Sequence, residues 1–163
     1  MSSSFFFDCY NIVVKEAVKV QGTIICRDAF HQEMLEYALR KFNYGYAFYK
    51  IGQKGIGKNG EIRVTSFILF SVRPLVNELS VQMLCGRSAH KDQLLLDRVK
   101  QYAEENDITV IRLYALPESR LLEFYLKNGF IQTDIVLEKS GAVNAYEMKY
   151  IPVRMKYPEI YAL

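Results

Sequence analysis

The chain has 163 residues, of which 50% are hydrophobic and 24% are charged, so a wholly disordered protein is excluded and one compact domain over residues 1–163 is predicted. The formal net charge is only +3, with 21 basic and 18 acidic residues, and we therefore expect no nucleic-acid partner. A local basic patch remains compatible with an acidic small molecule.

Three cysteines, Cys9, Cys26 and Cys85, occur at unrelated spacings, with no CxxC motif or Cys/His cluster. An odd number in such a pattern argues against a disulfide framework and against a zinc site, so no metal is expected. A reducing environment suits unpaired cysteines.

The opening segment MSSSFFFD is apolar but has no basic start, which is not typical of a signal peptide. The longest apolar run elsewhere, around Phe67–Phe70, is far shorter than the about 20 residues that span a bilayer. We therefore expect no membrane association and a cytoplasmic or nuclear location.

Two early strands are predicted at Tyr10–Val14 and Gly22–Cys26, because both segments are rich in β-branched and aromatic residues. A helix is predicted over Asp28–Phe42, with Asp28 as candidate N-cap and apolar residues recurring at intervals of three and four.

A β-hairpin is predicted from Tyr44–Ile51 and Ile62–Val72, joined by the glycine-rich turn Gly52–Gly60. Within that turn, GIGK at 55–58 looks like a phosphate-binding loop. A strand rather than a helix follows it, so the helix N-terminus that binds anions is missing, and we interpret the segment as a hairpin turn.

The second half of the chain predicts a βαβ unit. Leu79–Cys85 and Thr109–Tyr114 have strand character, and Asp92–Asn106 between them has apolar residues at helical spacing. A strand, crossover helix and strand in so few residues require a parallel pair with a right-handed crossover.

A further helix is predicted from Pro117–Ser119 to Asn128–Gly129, where the glycine supplies a left-handed stop. Ile131–Leu137 and Ala145–Ile151 then predict two strands around a Lys-Ser-Gly turn. The whole pattern indicates a mixed α/β (α+β) fold.

The order of elements from Glu78 to Phe130, closed by a short helix ending FYLKNGF, resembles the core of the GCN5-related N-acetyltransferase (GNAT) family. Members of that family move an acetyl group from acetyl-coenzyme A to an amine. The resemblance covers Glu78–Ile151 and is compatible with the rest of the chain. It implies a partly parallel central sheet flanked by helices, with acetyl-coenzyme A as a substrate.

In that family a central strand leads into a Q/R-x-x-G-x-G/A turn, where backbone N–H groups and a helix dipole hold the coenzyme A pyrophosphate. Arg87 fits the first position of this turn, whereas His90 and Asp92 stand where the family has glycines. The resemblance therefore implies a degenerate cofactor-binding turn made of Arg87, Ser88, Ala89, His90, Lys91 and Asp92.

Of the two residues that replace family glycines, Asp92 departs more from the family pattern than His90, because its side chain is a carboxylate. At about 4 Å from a phosphate charge it would cost ~1 kcal/mol in water and up to ~4 kcal/mol at an effective dielectric of 20. Arg87 and Lys91 would offset part of this repulsion. The structural alternative is that Asp92 is the N-cap of an ordinary helix.

The resemblance also implies roles for other residues. Tyr125 matches the family tyrosine that protonates the departing thiolate of coenzyme A as a general acid. The backbone near Val81, Gln82 and Met83 would align the amide arm of the cofactor. Three candidates for the base that deprotonates the amine stay open: Glu78, His31 and His90.

The function expected from this resemblance is direct acetyl transfer to an amine, and nothing in the sequence identifies the acceptor. One alternative is a non-catalytic module of the same fold that has lost the coenzyme A site and forms a homodimer through edge strands or the aromatic tail. Another is an enzyme that uses a different acyl-coenzyme A.

Overall fold

The computed structural model describes residues 4–8, 11–26, 32–51, 61–86 and 88–152. The elements in these ranges, in chain order, are β1 (Ser4–Asp8), α1 (Ile12–Cys26), α2 (Gln32–Lys41), β2 (Tyr44–Ile51), β3 (Ile62–Arg73), β4 (Glu78–Gly86), α3 (Ala89–Glu105), β5 (Val110–Ala115), α4 (Ser119–Lys127), β6 (Ile131–Leu137) and β7 (Val143–Tyr150).

The strands form a mixed seven-stranded sheet in the order β1-β2-β3-β4-β5-β7-β6. β2 pairs antiparallel with β1 and with β3, which confirms the predicted hairpin. β4 and β5 are parallel, with Glu78–Ser80 opposite Val110–Arg112, and helix α3 connects them. The predicted parallel βαβ unit and the mixed α/β fold class are therefore confirmed.

The chain divides into two compact units, Met1–Ser71 with Gln82–Val99, and Val72–Val81 with Lys100–Leu163. The expectation of a single domain over residues 1–163 stays a prediction. In the first unit, α1, α2, the hairpin and the end of β4 share a buried core of Val14, Val18, Ile25, Cys26, Leu35, Ala38, Ala47, Tyr49, Val64, Phe67, Leu69, Met83 and Cys85.

The prediction of two early strands is wrong, because Ile12–Cys26 forms one helix, α1. Asn11 begins it, since its side-chain oxygen accepts a hydrogen bond from the N–H of Val13 at 3.0 Å. The β-branched residues follow the helical period, and burial of one helical face outweighs their strand propensity. The buried residues of that face are Val14, Val18, Gly22, Ile25 and Cys26.

The side chain of Gln21 links helix α1 to strand β3 of the sheet. The Gln21 amide donates to the carbonyl oxygen of Ile62 at 2.9 Å and accepts from the N–H of Val64 at 2.9 Å. It completes two backbone groups near the start of β3 that would otherwise need another partner. This pair of bonds fixes the position of α1 along β3.

A disulfide joins Cys26, at the end of α1, to Cys85, near the end of β4. The expectation that the chain has no disulfide is therefore wrong for these two residues. The two cysteines are 59 positions apart in the sequence, and no motif indicates that the fold brings them together. Cys9, the third cysteine, lies outside the described residues.

The described helix α2, Gln32–Lys41, agrees with the predicted helix, although Asp28, its candidate cap, lies outside the described residues. The turn Gly52–Gly60 lies outside them as well. Strand β1 was not predicted from the sequence. Nowhere in the described ranges is there a helix long and apolar enough to cross a membrane.

In the second unit, buried residues alternate along β5, and Met148 of β7 and Tyr125 of α4 are buried as well. Gly129 has φ +86°, the left-handed conformation predicted for the end of α4. The Lys100 ammonium donates to the carbonyl oxygen of Asn128 at 2.6 Å and lies 4.5 Å from the ring centre of Tyr150. Lys100 thus completes the C-terminal end of α4.

Candidate functional site

Ser88 is the N-cap of helix α3. The helix begins at Ala89, and the Ser88 hydroxyl accepts a hydrogen bond from the N–H of Lys91 at 3.4 Å. The alternative in which Asp92 is the N-cap is therefore wrong, because Asp92 is the fourth helical residue and its own N–H bonds to the carbonyl oxygen of Ser88 at 3.0 Å. Arg87 lies outside the described residues.

The Asp92 carboxyl is turned toward the end of β4. A Cβ placed on Gly86 would collide with Asp92 Oδ1, and it would lie 2.7 Å from the Cβ of Ser66. Both Asp92 Oδ1 and the Ser66 hydroxyl are buried, and neither has a hydrogen-bond partner among the described residues. The missing side chain at Gly86 is what makes room for the carboxyl group at residue 92.

Burial raises the pKa of Asp92 to about 6. The carboxyl loses hydration that would stabilise its charged form, and this explains the direction of the shift. At neutral pH the group is still mostly ionised, so a negative charge lies in the first turn of α3. The charge is partly enclosed by the protein rather than fully presented to solvent.

The other described residues of the turn point to different surroundings. The Lys91 ammonium bonds to the Thr65 hydroxyl at 3.0 Å and lies 5.8 Å from the ring centre of Phe48, so its charge is directed at strands β2 and β3. Ala89 and His90 are exposed at the start of α3. As first-turn residues, they have backbone N–H groups without an intrahelical partner.

Val81, Gln82 and Met83 follow directly after the segment Glu78–Ser80 of β4, which pairs with Val110–Arg112 of β5. The side chains of Val81 and Met83 are buried, and the Gln82 amide donates to the Ser71 hydroxyl at 2.9 Å. Met83 also contacts the disulfide, with its Sδ 3.9 Å from Cys26 Sγ. These contacts engage the three side chains, and the role of their backbone along the amide arm of a cofactor stays a prediction.

Tyr125, the predicted general acid, is buried in the second unit. Its ring makes edge-to-face contacts with Phe124 and Phe130, at 5.3 and 5.7 Å between ring centres. Its carbonyl oxygen accepts from the N–H groups of Asn128 and Phe130 at the end of α4. The described contacts of Tyr125 are those of a packed aromatic residue, and its catalytic role stays a prediction.

Of the three candidate bases, Glu78 is held in an ion pair. Its carboxylate lies 2.7 Å from Arg112 Nε and 3.6 Å from Arg73. His90 is exposed, and His31 lies outside the described residues. The Glu78 carboxylate is thus engaged by two arginines, and its role as the base stays a prediction.

A second carboxylate in the same unit went unnoticed in the sequence. Glu147 accepts hydrogen bonds from Thr133 at 2.7 Å and from Tyr114 at 3.1 Å, and Arg112 lies 3.9 Å away. The Thr133 bond is the main reason why the pKa of Glu147 lies below its ordinary value, with burial acting in the opposite direction. No spacing signal joins these residues, since they come from three strands.

Gly86 and Ser66 were also missed, although Gly86 had a detectable signal. It is a glycine at the end of a predicted strand and directly before the predicted turn, where a close approach of the backbone is common. Within the described ranges, no group of three or more His, Cys, Asp and Glu residues is placed to hold a metal ion.

No protein-family model and no curated protein matches this sequence. Solved structures do match it. A putative acetyltransferase of the GNAT family from Desulfovibrio desulfuricans has a TM-score of 0.68 at 9% identity, covering 93% of this chain and 100% of its own. The ribosomal-protein-S18-alanine N-acetyltransferase from Escherichia coli has a TM-score of 0.62 at 12% identity, covering 93% and 94%.

An aminoglycoside 6'-N-acetyltransferase complexed with coenzyme A has a TM-score of 0.64 at 12% identity, covering 93% of this chain and 97% of its own. At such low identities the likeness establishes architecture alone. The chain therefore has the GNAT acetyltransferase fold, as the sequence predicted.

Proposed function

We propose that this chain is an N-acetyltransferase that transfers an acetyl group from acetyl-coenzyme A directly to an amine. The observation that carries the proposal is the start of α3, a helix of 17 residues that closely follows β4 in a chain with the GNAT fold. An N-terminus of this kind presents free N–H groups and the positive end of a helix dipole, both of which favour a pyrophosphate.

The residues at this turn fit a pyrophosphate in two respects. Ala89 and His90 are exposed and place their N–H groups at the helix start, and the Ser88 hydroxyl accepts from the N–H of Lys91. One oxygen of Asp92 is directed at Gly86 and Ser66, inside the protein. This orientation reduces the repulsion that a carboxylate at residue 92 would exert on a phosphate. Arg87, which lies outside the described residues, is proposed as an additional cation.

Acetyl-coenzyme A, when bound, supplies the acetyl group as a thioester. The proposed work of the chain is to hold and orient it: residues 87–92 near the pyrophosphate, and the backbone of Val81, Gln82 and Met83 along the amide arm. Tyr125 is the proposed general acid, whose hydroxyl donates a proton to the sulfur as the carbon–sulfur bond breaks. The amine nitrogen forms the new bond to the acetyl carbon and gives its proton to a base, for which Glu78, His31 and His90 are the candidates.

The acceptor is proposed as an amine of unassigned class. Proteins of the same fold act on an alanine of a ribosomal protein and on aminoglycosides, which shows how widely acceptors vary on this architecture. A first screen should therefore include peptides with free N-termini, polyamines and amino sugars. Use of a longer acyl group is tested by including propionyl- and succinyl-coenzyme A as donors.

A second candidate function is a non-catalytic module of the same fold. The observation that favours it is the Asp92 charge, since a carboxyl with a pKa of about 6 is mostly ionised at neutral pH and opposes an anion at the start of α3. On this alternative, the chain has lost its coenzyme A site and works through protein contacts.

Thermal unfolding with and without acetyl-coenzyme A separates the two candidates. At 100 times its dissociation constant, a ligand adds about 2.7 kcal/mol of stability, which raises the melting temperature by several degrees. Acetyl-pantetheine, which lacks the pyrophosphate, is the matched ligand control and should give a much smaller shift. No shift with millimolar acetyl-coenzyme A would refute the enzyme and favour the module.

Two variants then test the assigned roles. Asp92→Gly should bind acetyl-coenzyme A more tightly, and Asp97→Gly, at an exposed position on the same helix, should leave binding unchanged. Tyr125→Phe should lower turnover with an accepted amine and leave cofactor binding intact. Unchanged turnover in Tyr125→Phe would remove this residue from the mechanism.

A further inference from the structure

Strand β6 lies at one edge of the sheet, next to β7, and all seven of its residues are exposed. In the described part of the chain its strand partner is β7, so one backbone edge of β6 faces outward. Four large apolar side chains on this strand are exposed by 36–59%: Ile131, Ile135, Val136 and Leu137. An apolar edge strand exposed on both faces is a template for pairing with another strand.

The backbone at the middle of β6 marks which residues face this edge. The N–H of Ile135 donates to the side-chain oxygen of Asp134 at 2.8 Å. An amide that belongs to an antiparallel ladder bonds to a carbonyl oxygen of the neighbouring strand, whereas this one is satisfied by an adjacent side chain. This bond to an acceptor on β6 itself agrees with an Ile135 whose hydrogen-bonding groups are directed at the outer edge.

We propose that β6 pairs with β6 of a second copy of this chain, antiparallel across a two-fold axis. Such an interface uses the same patch on both subunits and pairs residues symmetrically about one central residue. Pairing of the two β6 strands would join the seven-stranded sheets of both copies into one continuous sheet. It would also cover the exposed apolar residues of β6 with their own counterparts.

Charge selects the register of this pairing. A centre at Asp134 would pair the whole strand but would set two Asp134 carboxylates opposite each other, which is destabilising. A centre at Thr133 would fall on the bulge between Gln132 and Asp134. A centre at Ile135 sets Ile135 against Ile135, Asp134 against Val136 and Thr133 against Leu137. It places no like charges opposite each other and is the register we assign.

Sedimentation velocity of the full chain tests the pairing, with the mass expected to rise from 18.9 kDa toward twice that value as concentration increases. Ile135→Lys would place two ammonium groups at the centre of the interface and should return the chain to a monomer. Leu75→Lys, at a fully exposed position in a turn, is the matched control and should leave the dimer intact. A chain that stays monomeric, or a dimer unaffected by Ile135→Lys, would overturn the proposal.

Cysteine crosslinking tests the register. In a Cys9→Ser background, Ile135→Cys should form an intersubunit disulfide on mild oxidation, because directly opposed residues have Cα atoms about 5.5 Å apart. Thr133→Cys should crosslink far less, since its partner in this register is Leu137. Preferential crosslinking of Thr133→Cys would overturn the assigned register. A dimer that forms neither crosslink would overturn the β6 interface.

Discussion

The carboxyl group of Asp92 lies beside Gly86, in the space that a side chain at residue 86 would occupy. The two residues face each other across the turn between β4 and α3, with the Cβ of Ser66 closing the same space from β3. A side chain at residue 92 and the absence of one at residue 86 are thus two parts of one arrangement. This arrangement sets the orientation of the Asp92 carboxyl group relative to the start of α3.

Gly86→Ala should lower the free energy of unfolding by about 1–3 kcal/mol, because the added methyl group overpacks the site against Asp92 and Ser66. Urea unfolding monitored by circular dichroism measures the loss. The double variant Gly86→Ala/Asp92→Ala should recover part of it, since the Asp92 contact is gone and the Ser66 contact remains. Additive effects of the two changes would show that residues 86 and 92 do not interact.

Asp92→Asn should stabilise the protein at neutral pH and have a smaller effect in acid. Burial raises the folded pKa of Asp92 to about 6, above the unfolded value of about 3.9. The unfolded carboxyl therefore ionises first as pH rises, and stability falls between these two values. After allowance for solvent screening, we expect a gain on the order of 1 kcal/mol above about pH 7.

Urea unfolding at several pH values measures this effect. Asp97→Asn is the matched control, because Asp97 is on the same helix but exposed, and so lacks the burial on which this prediction rests. A stabilisation by Asp92→Asn that is equal in acid and at neutral pH would contradict the burial argument.

The second half of the fold was predictable because its signals are local. Strand β4, helix α3 and strand β5 show their periods in sequence, and Gly129 marks the end of α4. The start of α3 was placed three residues late, since Asp92 and Ser88 are both acceptable caps and only the fold decides between them. Within the site, the contact of Asp92 with Gly86 could not be predicted. It depends on how the first turn of α3 is placed relative to the end of β4.

The first half was less predictable, and α1 shows the reason. Its β-branched residues favour strands, and their helical spacing acquires meaning only when one face is buried against the core. The disulfide between Cys26 and Cys85 depends in turn on that helix, since only the end of α1 brings residue 26 to β4. Because α1 was predicted as two strands, the disulfide between Cys26 and Cys85 could not be predicted either.

Reduction of the Cys26–Cys85 disulfide should lower the free energy of unfolding by about 4 kcal/mol. The bond closes a loop of 59 residues in the unfolded chain, and the loop-entropy relation gives a loss of that size when it is broken. Urea unfolding with and without a phosphine reductant measures the effect. The Cys26→Ala/Cys85→Ala variant should be insensitive to reductant; an effect of similar size in that variant would locate the reducible bond elsewhere.

Arg112→Gln should destabilise the second unit by about 1–3 kcal/mol. The Arg112 guanidinium lies 2.7 Å from Glu78, whose side chain is only 12% exposed, so its removal leaves a poorly hydrated carboxylate with the more distant Arg73. Lys149→Gln is the matched control. Lys149 is 40% exposed and lies 3.7 Å from Glu147, so its loss should cost a few tenths of a kcal/mol. Equal losses in the two variants, measured by urea unfolding, would show that the close contact with Glu78 contributes no more than an exposed ion pair.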